Sequence, residues 1–299
     1  MTKCIEVSSL ENIDLSCLDE IESDNLIFIS AEPGDTRTKD LINRVRSNFT
    51  DAYTIFVCDE GNNDSEKYIE NIDYDNNYSI IIDTSLIRRS RLAGIFNEIY
   101  ELGTKMDLDL YIFYSLGAYV PPNDHKLLPN KRVASVHPRF MGWDDDHDLK
   151  VLTIVGLGYE KDKAVGAVEY LESLRTILFI PESSEEQYLD EVLRQNEYLI
   201  KSTSTRDQIY YDVENPVKIV LEIDAVLSGS YDKYKPILLP FGPKIFYACS
   251  LLVAMVHPEA SVWYVSGEEH EKKRSNQEPV STFGMACRIS AKNHIATSS

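Results

Sequence analysis

The sequence predicts an α/β protein, with a mostly parallel sheet or pair of sheets covered by helices on both faces. Three passages carry that prediction. Residues 151–180, VLTIVGLGYEKDKAVGAVEYLESLRTILFI, run from an apolar strand through a glycine turn into an amphipathic helix and out along a second apolar strand, which is one βαβ unit. The same order recurs over residues 26–60, where LIFISAEPGDTR opens a helix and YTIFVCDE follows. It begins a third time at ILLPFGPK, residues 237–244. Short, continuous apolar strands that alternate with helices are buried on both faces, as the strands of a parallel sheet must be.

Each element follows from local periodicity. Residues 26–30 form a strand, and 38–48 a helix with Leu41, Val45 and Phe49 on one stripe. A strand at 53–59 leads into a polar stretch over 60–77, rich in Asn and Asp. The isoleucine run at 79–83 ends in Asp-Thr-Ser, so Thr84 or Ser85 caps the next helix. That helix spaces Leu92, Ile95, Phe96, Ile99 and Leu102 along a single face, and a strand follows at 108–115. Pro121, Pro122, Pro129, Pro138 and the acidic WDDDHD at 143–148 make 120–148 a connector, of a length typical of functional or inter-domain loops.

The second half opens with a strand at 151–155. A helix carrying Ala164, Val165, Val168 and Leu171 follows, then a strand at 176–180. Ser183 or Ser184 caps a helix bearing Tyr188, Val192 and Leu199. Helices at 216–227 and 245–256 frame a strand at 237–239, and the last strand is 262–265. The strand starts Leu26 and Tyr53 are spaced much like Val151 and Thr176, the rhythm of an internal duplication. The chain therefore divides into an N-terminal Rossmann-like lobe (1–120), a connector (121–148), a C-terminal Rossmann-like lobe (149–266) and a polar tail (267–299). The tail shows no strong periodicity and is expected to be loosely attached.

Composition limits the function classes. The chain has 299 residues, 43% of them apolar, enough for a substantial core. It carries 30 Lys and Arg against 49 Asp and Glu, a net charge of −19. An acidic surface repels nucleic acid unless a basic stripe overrides it, and the densest basic cluster, Arg88, Arg89 and Arg91, is too short for a phosphate track. Direct nucleic-acid binding is thus disfavoured, whereas a protein partner is not. Five cysteines with no C-x-x-C spacing fit a reduced, intracellular protein. The first residues lack the apolar run of a signal peptide, and the longest apolar run, IFYACSLLVAMV at 245–256, is too short to span a bilayer. The expectation is a cytoplasmic protein with no membrane segment.

Ligands of parallel sheets gather beyond the carboxyl ends of the strands, where helix N-termini present N–H groups. Three strand ends qualify. The Gly156-Leu157-Gly158 turn allows close backbone approach, with Lys163 on the helix behind it; it lacks a third glycine, and Glu160 stands where a phosphate would sit. Either the glycines form only a tight turn or they touch a ligand. In PFGPK, Gly242 suits the turn, Pro243 the helix start, and Lys244 a phosphate or carboxylate, or else it is an exposed lysine on a stiff connection. Asp83 could meet a ribose hydroxyl and Arg88 a phosphate, with Ser85 beside them, or Asp83 and Ser85 simply cap the helix. No P-loop, nucleophile elbow or H-E-x-x-H motif is present. The 144–148 acidic run could chelate a cation but reads more naturally as solvated charge, and Asp59-Glu60 lacks a partner histidine.

DTSLIRR, GLGYEKDKA and PFGPK together resemble uncharacterised bacterial proteins with two Rossmann-like lobes, some found in phage-defence or mobile gene clusters. The resemblance implies a nucleotide-sensing or defence-subunit role and carries over no activity and no cofactor. The sequence thus points to binding of a nucleotide or other phosphorylated small molecule at the strand ends, by a sensor or an enzyme. The alternative is a non-catalytic subunit of a protein assembly.

Overall fold

The computed structural model describes residues 4–57, 67–70, 72–74, 76–121, 132–142, 149–160, 163–266 and 277–292. The fold is α/β, built on two mixed sheets. The first sheet contains β1 (Ile5–Asp14), β2 (Leu26–Ala31), β3 (Tyr53–Val57), β4 (Tyr78–Asp83), β5 (Leu108–Gly117) and β12 (Pro279–Ala291), in the order β1-β12-β5-β4-β2-β3. The second contains β6 (Arg132–Ser135), β7 (Lys150–Gly156), β8 (Arg175–Glu182), β9 (Gln208–Asp212), β10 (Tyr234–Pro240) and β11 (Ser261–Ser266), in the order β6-β11-β10-β7-β8-β9. Most pairings are parallel. The antiparallel ones are β1 with β12, β12 with β5, and β11 with β6.

Strand alternation sets the layering. Ile27, Ile29, Ile80 and Ile82 of the first sheet, and Leu152, Ile154, Ile177 and Phe179 of the second, share one continuous core. Helices α2 (Arg89–Gly103), α6 (Pro216–Ser230) and α7 (Lys244–Val256) fill the space between the sheets and contribute to that core. The alternate residues Leu26, Phe28 and Ile81 point outward onto α1 (Thr36–Asn48). Likewise Val155, Leu178 and Ile180 face α3 (Lys163–Tyr170), α4 (Glu186–Gln195) and α5 (Glu197–Ser202). The order across the molecule is therefore helix, sheet, helices, sheet, helices. Every described residue of α7 from Lys244 to Met255 is buried, because both sheets pack against it. This is the helix that the 245–256 apolar run predicts.

Several sequence expectations change. The supposed loose tail contains β12, which lies between β1 and β5 and buries Met285 and Ile289 completely. Its Phe283, Met285, Cys287 and Ile289 enter the core, and from Met285 onward they alternate with the more exposed Ala286, Arg288 and Ser290. The connector contributes β6, which closes the edge of the second sheet, and β1 was not expected at all. Neither Thr84 nor Ser85 caps α2, whose N-cap is Arg88, without a side-chain cap bond; the N-cap of α4 is likewise Glu185 rather than Ser183 or Ser184. The single helix expected from Tyr188 to Leu199 breaks at Asn196 into α4 and α5. Cys58, Asp59-Glu60 and the 143–148 acidic run lie outside the described residues.

The duplication rhythm has a counterpart in strand order. Both sheets hold a βαβ hairpin of neighbouring parallel strands (β2-α1-β3 and β7-α3-β8), with the next strand added on the far side (β4 and β10) and one more beyond it (β5 and β11). The second sheet differs by inserting α4, α5, β9 and α6 before β10.

Candidate functional site

The two sheets point the carboxyl ends of their parallel strands into one cleft of about 410 Å³. From the first sheet come Arg37 on α1 behind β2, Ser85 behind β4, and Tyr114, Leu116 and Gly117 of β5. From the second come Leu157 to Glu160 behind β7, Pro181 of β8 with Ser183 behind it, Val213 behind β9, and Phe241 to Lys244 behind β10. Tyr188 and Val192 of α4 and Gln277 complete the walls. The volume falls within the range of small-molecule sites. Strand-to-helix turns collect at one edge of a parallel sheet because its strands run in the same direction.

Charge in the cleft runs against the whole molecule. Among the described residues its walls hold Arg37, Arg89 and Lys244 against the single carboxylate of Glu160, in a chain of net charge −19. Arg37 is 7% exposed and its Nε lies 3.4 Å from Asp35 Oδ1; that carboxylate also accepts from the Arg37 amide at 3.0 Å, as the N-cap of α1. Arg89 Nη2 donates to Gly242 O at 2.7 Å and to Phe241 O at 3.3 Å, while its Nε is buried with no partner among the described residues. Lys244 Nζ donates to Ile87 O at 2.6 Å. Glu160 is partly neutralised by Lys163, 2.7 Å away.

One wall is aromatic. Tyr159 and Tyr188 stack with centroids 6.0 Å apart and an interplanar angle of 27°, and Tyr119 meets Tyr188 edge-on at 5.1 Å. The Tyr188 hydroxyl donates towards Gly117 O and Ala118 O at 3.3 and 3.2 Å, which ties α4 to the end of β5. Burial pushes that phenol up to about 12, so it stays a protonated donor at neutral pH. Beneath the Phe241-Gly242 turn lies Tyr211, fully buried, its hydroxyl with no partner among the described residues. A Cβ on Gly242 would come 3.3 Å from that hydroxyl and 2.7 Å from Leu157 O. Unsatisfied buried polar atoms are rare enough to mark a place where another group completes the bonding.

Of the expected site residues, Ser85, Gly158, Gly242 and Lys244 line the cleft. Asp83 does not. It is wholly buried, accepting from Ser85 N at 3.0 Å and Ser30 Oγ at 3.3 Å, and burial raises its pKa against the pull of those bonds and of the Lys244 charge. A ribose hydroxyl cannot reach it. Gly156 serves packing instead, since a Cβ there would enter the Phe246 ring; Gly158 and Gly242 let two turns pack backbone against backbone, with Phe241 O 2.6 Å from a Cβ on Gly158. Arg88, the N-cap of α2, and Lys163, paired with Glu160, are not among the residues that line the cleft. Lys244 is 8% exposed rather than a surface lysine, because the second sheet brings it under the loop behind β4.

Sequence reasoning set Arg89 beside Arg88 at the strand end of DTSLIRR without giving it a contact, and passed over Arg37, Tyr159, Tyr188 and Gln277. A signal for Arg37 existed: it follows AEPGDT, the same strand-turn-helix grammar as the other two strand ends. No local pattern brings α4 and residue 277 to the strand ends, because only the packing of sheet against sheet does so. Among the described residues no cluster of His, Cys, Asp or Glu is arranged to hold a metal ion, and no helix is long and apolar enough to cross a membrane.

Fold and site together define a two-sheet α/β protein with a cationic, tyrosine-walled cleft between the strand ends. No protein-family model matches the sequence, and no curated protein is significantly similar to it.

Proposed function

We propose that the cleft binds a small phosphorylated molecule, as a sensor of it or an enzyme acting on it. One observation carries the reading: strand ends of both sheets meet at a pocket holding Arg37, Arg89 and Lys244 in a strongly acidic chain. Arg37 and Lys244 are buried, and buried cations attract an anion more strongly because water is scarce around them. The Rossmann-like reading of each sheet belongs to the same proposal, supported by the parallel order β9-β8-β7-β10-β11, which reverses direction from β7 towards β10 beside the cleft.

Thermal shift against a panel of phosphorylated metabolites tests it. A ligand at a hundred times its dissociation constant adds about 2.7 kcal/mol of apparent stability. Arg37→Met removes a guanidinium while leaving the Asp35 cap in place, and is expected to weaken binding roughly ten- to a hundredfold, the loss of one charge-assisted hydrogen bond. No stabilisation by any member of the panel would favour the alternative, a non-catalytic subunit of an assembly.

A further inference from the structure

We infer that the ligand is a nucleoside phosphate whose base stacks on Tyr159, an inference that rests on the anion-binding reading above. Tyr159 sits between Gly158 and Glu160 at the end of β7, inside the cleft, with 40% of its surface exposed. An exposed tyrosine ring in a cationic pocket needs a reason. Its neighbours supply one, because they hold it still: Tyr188 stacks against it, Tyr119 braces Tyr188 from the side, and the Tyr188 hydroxyl is bonded to the carbonyls ending β5. The backbone on which Tyr159 rides is fixed too, since Gly158 packs on Phe241 O and Asn196 Nδ2 donates to Gly158 O at 2.7 Å.

The result is a flat, preordered platform in a cleft that also holds the buried guanidinium of Arg37 and the half-buried one of Arg89. Arg37 lies close enough to Tyr188 for its charge to act on that phenol, and Arg89 is bonded to the turn that touches Gly158. Inorganic phosphate or an acyclic phosphate ester would use the cations and leave the ring wet. A nucleotide uses both, with the base extending the Tyr188–Tyr159 stack and the phosphates reaching the arginines. Stacking of this kind tolerates any base, because every base has a π-face.

Calorimetry on the full chain decides it, with the triphosphates of adenosine, guanosine, cytidine and uridine, inorganic tripolyphosphate, and glucose 6-phosphate as probes. At least one nucleotide is expected to bind more tightly than tripolyphosphate and glucose 6-phosphate. Tyr159→Ala is expected to weaken that nucleotide roughly ten- to a hundredfold, leave tripolyphosphate unchanged, and be rescued by Tyr159→Trp. If tripolyphosphate or glucose 6-phosphate equals the best nucleotide, or if Tyr159→Ala weakens nucleotide and tripolyphosphate alike, the base platform is wrong while the anion site stands. If none of the probes binds, the anion site falls and the platform with it.

Discussion

The Lys244 ammonium is bonded to Ile87 O and almost shut off from water, so it ties the start of α7 to the loop behind β4 as well as lining the cleft. Lys244→Met is therefore expected to lower stability by about 1–3 kcal/mol, because it strands a buried carbonyl, and also to weaken phosphate binding. Urea midpoints and ligand titrations read the two losses separately; an unchanged midpoint would remove the structural half of the argument. His257 makes a second residue-scale prediction. Its Nδ1 lies 2.9 Å from Glu259 Oε1 and its Nε2 2.8 Å from Asp224 Oδ1 on α6. The bond to Glu259, with burial opposing and Asp224 assisting, raises its pKa from the ordinary 6.5. A histidine whose folded pKa is raised gives stability that is complete below pH 6.5 and is lost as pH rises through the folded value. His257→Gln should flatten that alkaline decline; equal pH profiles for the two proteins would show that the triad contributes nothing. Single residues of the cleft were only half legible in the sequence. Strand-end position is local and readable, as Ser85, Gly158, Gly242 and Lys244 show, and so is the pairing of Lys163 with Glu160 three residues before it, but the burial of Asp83 depends on neighbours such as Ser30, far along the chain.

At the scale of elements, α7 is the most constrained part of the fold. Both sheets cover it, so Leu252→Ala leaves a cavity with little room to collapse and is expected to cost about 2–5 kcal/mol. A loss below about 1 kcal/mol would place that side chain against a yielding surface instead. The α7–β7 contact makes a sharper test. A methyl on Gly156 would enter the Phe246 ring, so Gly156→Ala should cost about 1–3 kcal/mol through overpacking. Phe246→Leu should recover part of that loss in a double-mutant cycle, since it removes the atoms in the way; additive effects would mean that the strain lies elsewhere. The helices and doubly buried strands were legible because both announce themselves in runs of apolar residues. The sheet edge was not. Strand β1 buries only Ile5, and its register breaks between Ser8 and Glu11, with Ser9 at φ 54°, which destroys the two-residue period. In β12 the period was present at Phe283, Met285, Cys287 and Ile289, but it stood beside a polar stretch and had no neighbouring strand to pair with locally.

At the scale of the whole molecule, the two lobes read from the sequence share one hydrophobic core. Side chains of β2, β4 and β5 and of β7, β8 and β10 belong to the same cluster, joined through α2, α6 and α7. Polar ties also cross between the halves: Lys244 to Ile87, Arg89 to Gly242, Tyr247 to Arg89 O at 2.7 Å, and Asn12 to Asn215 at 2.7 Å. Neither half can bury its inner face without the other, so the chain should unfold as one unit although its length is in the range where intermediates are common. Removing residues 279–299 tests this most severely. It deletes β12 from between β1 and β5, and the damage should reach the second sheet through the core they share. With Trp143→Phe leaving Trp263 of β11 as the only tryptophan, its fluorescence reports on the second sheet, and far-UV circular dichroism on both. In the full-length variant the two signals should give one coincident urea transition. In the truncated variant both native signals should be lost together; a Trp263 transition that survives removal of β12 would show that the second sheet folds on its own.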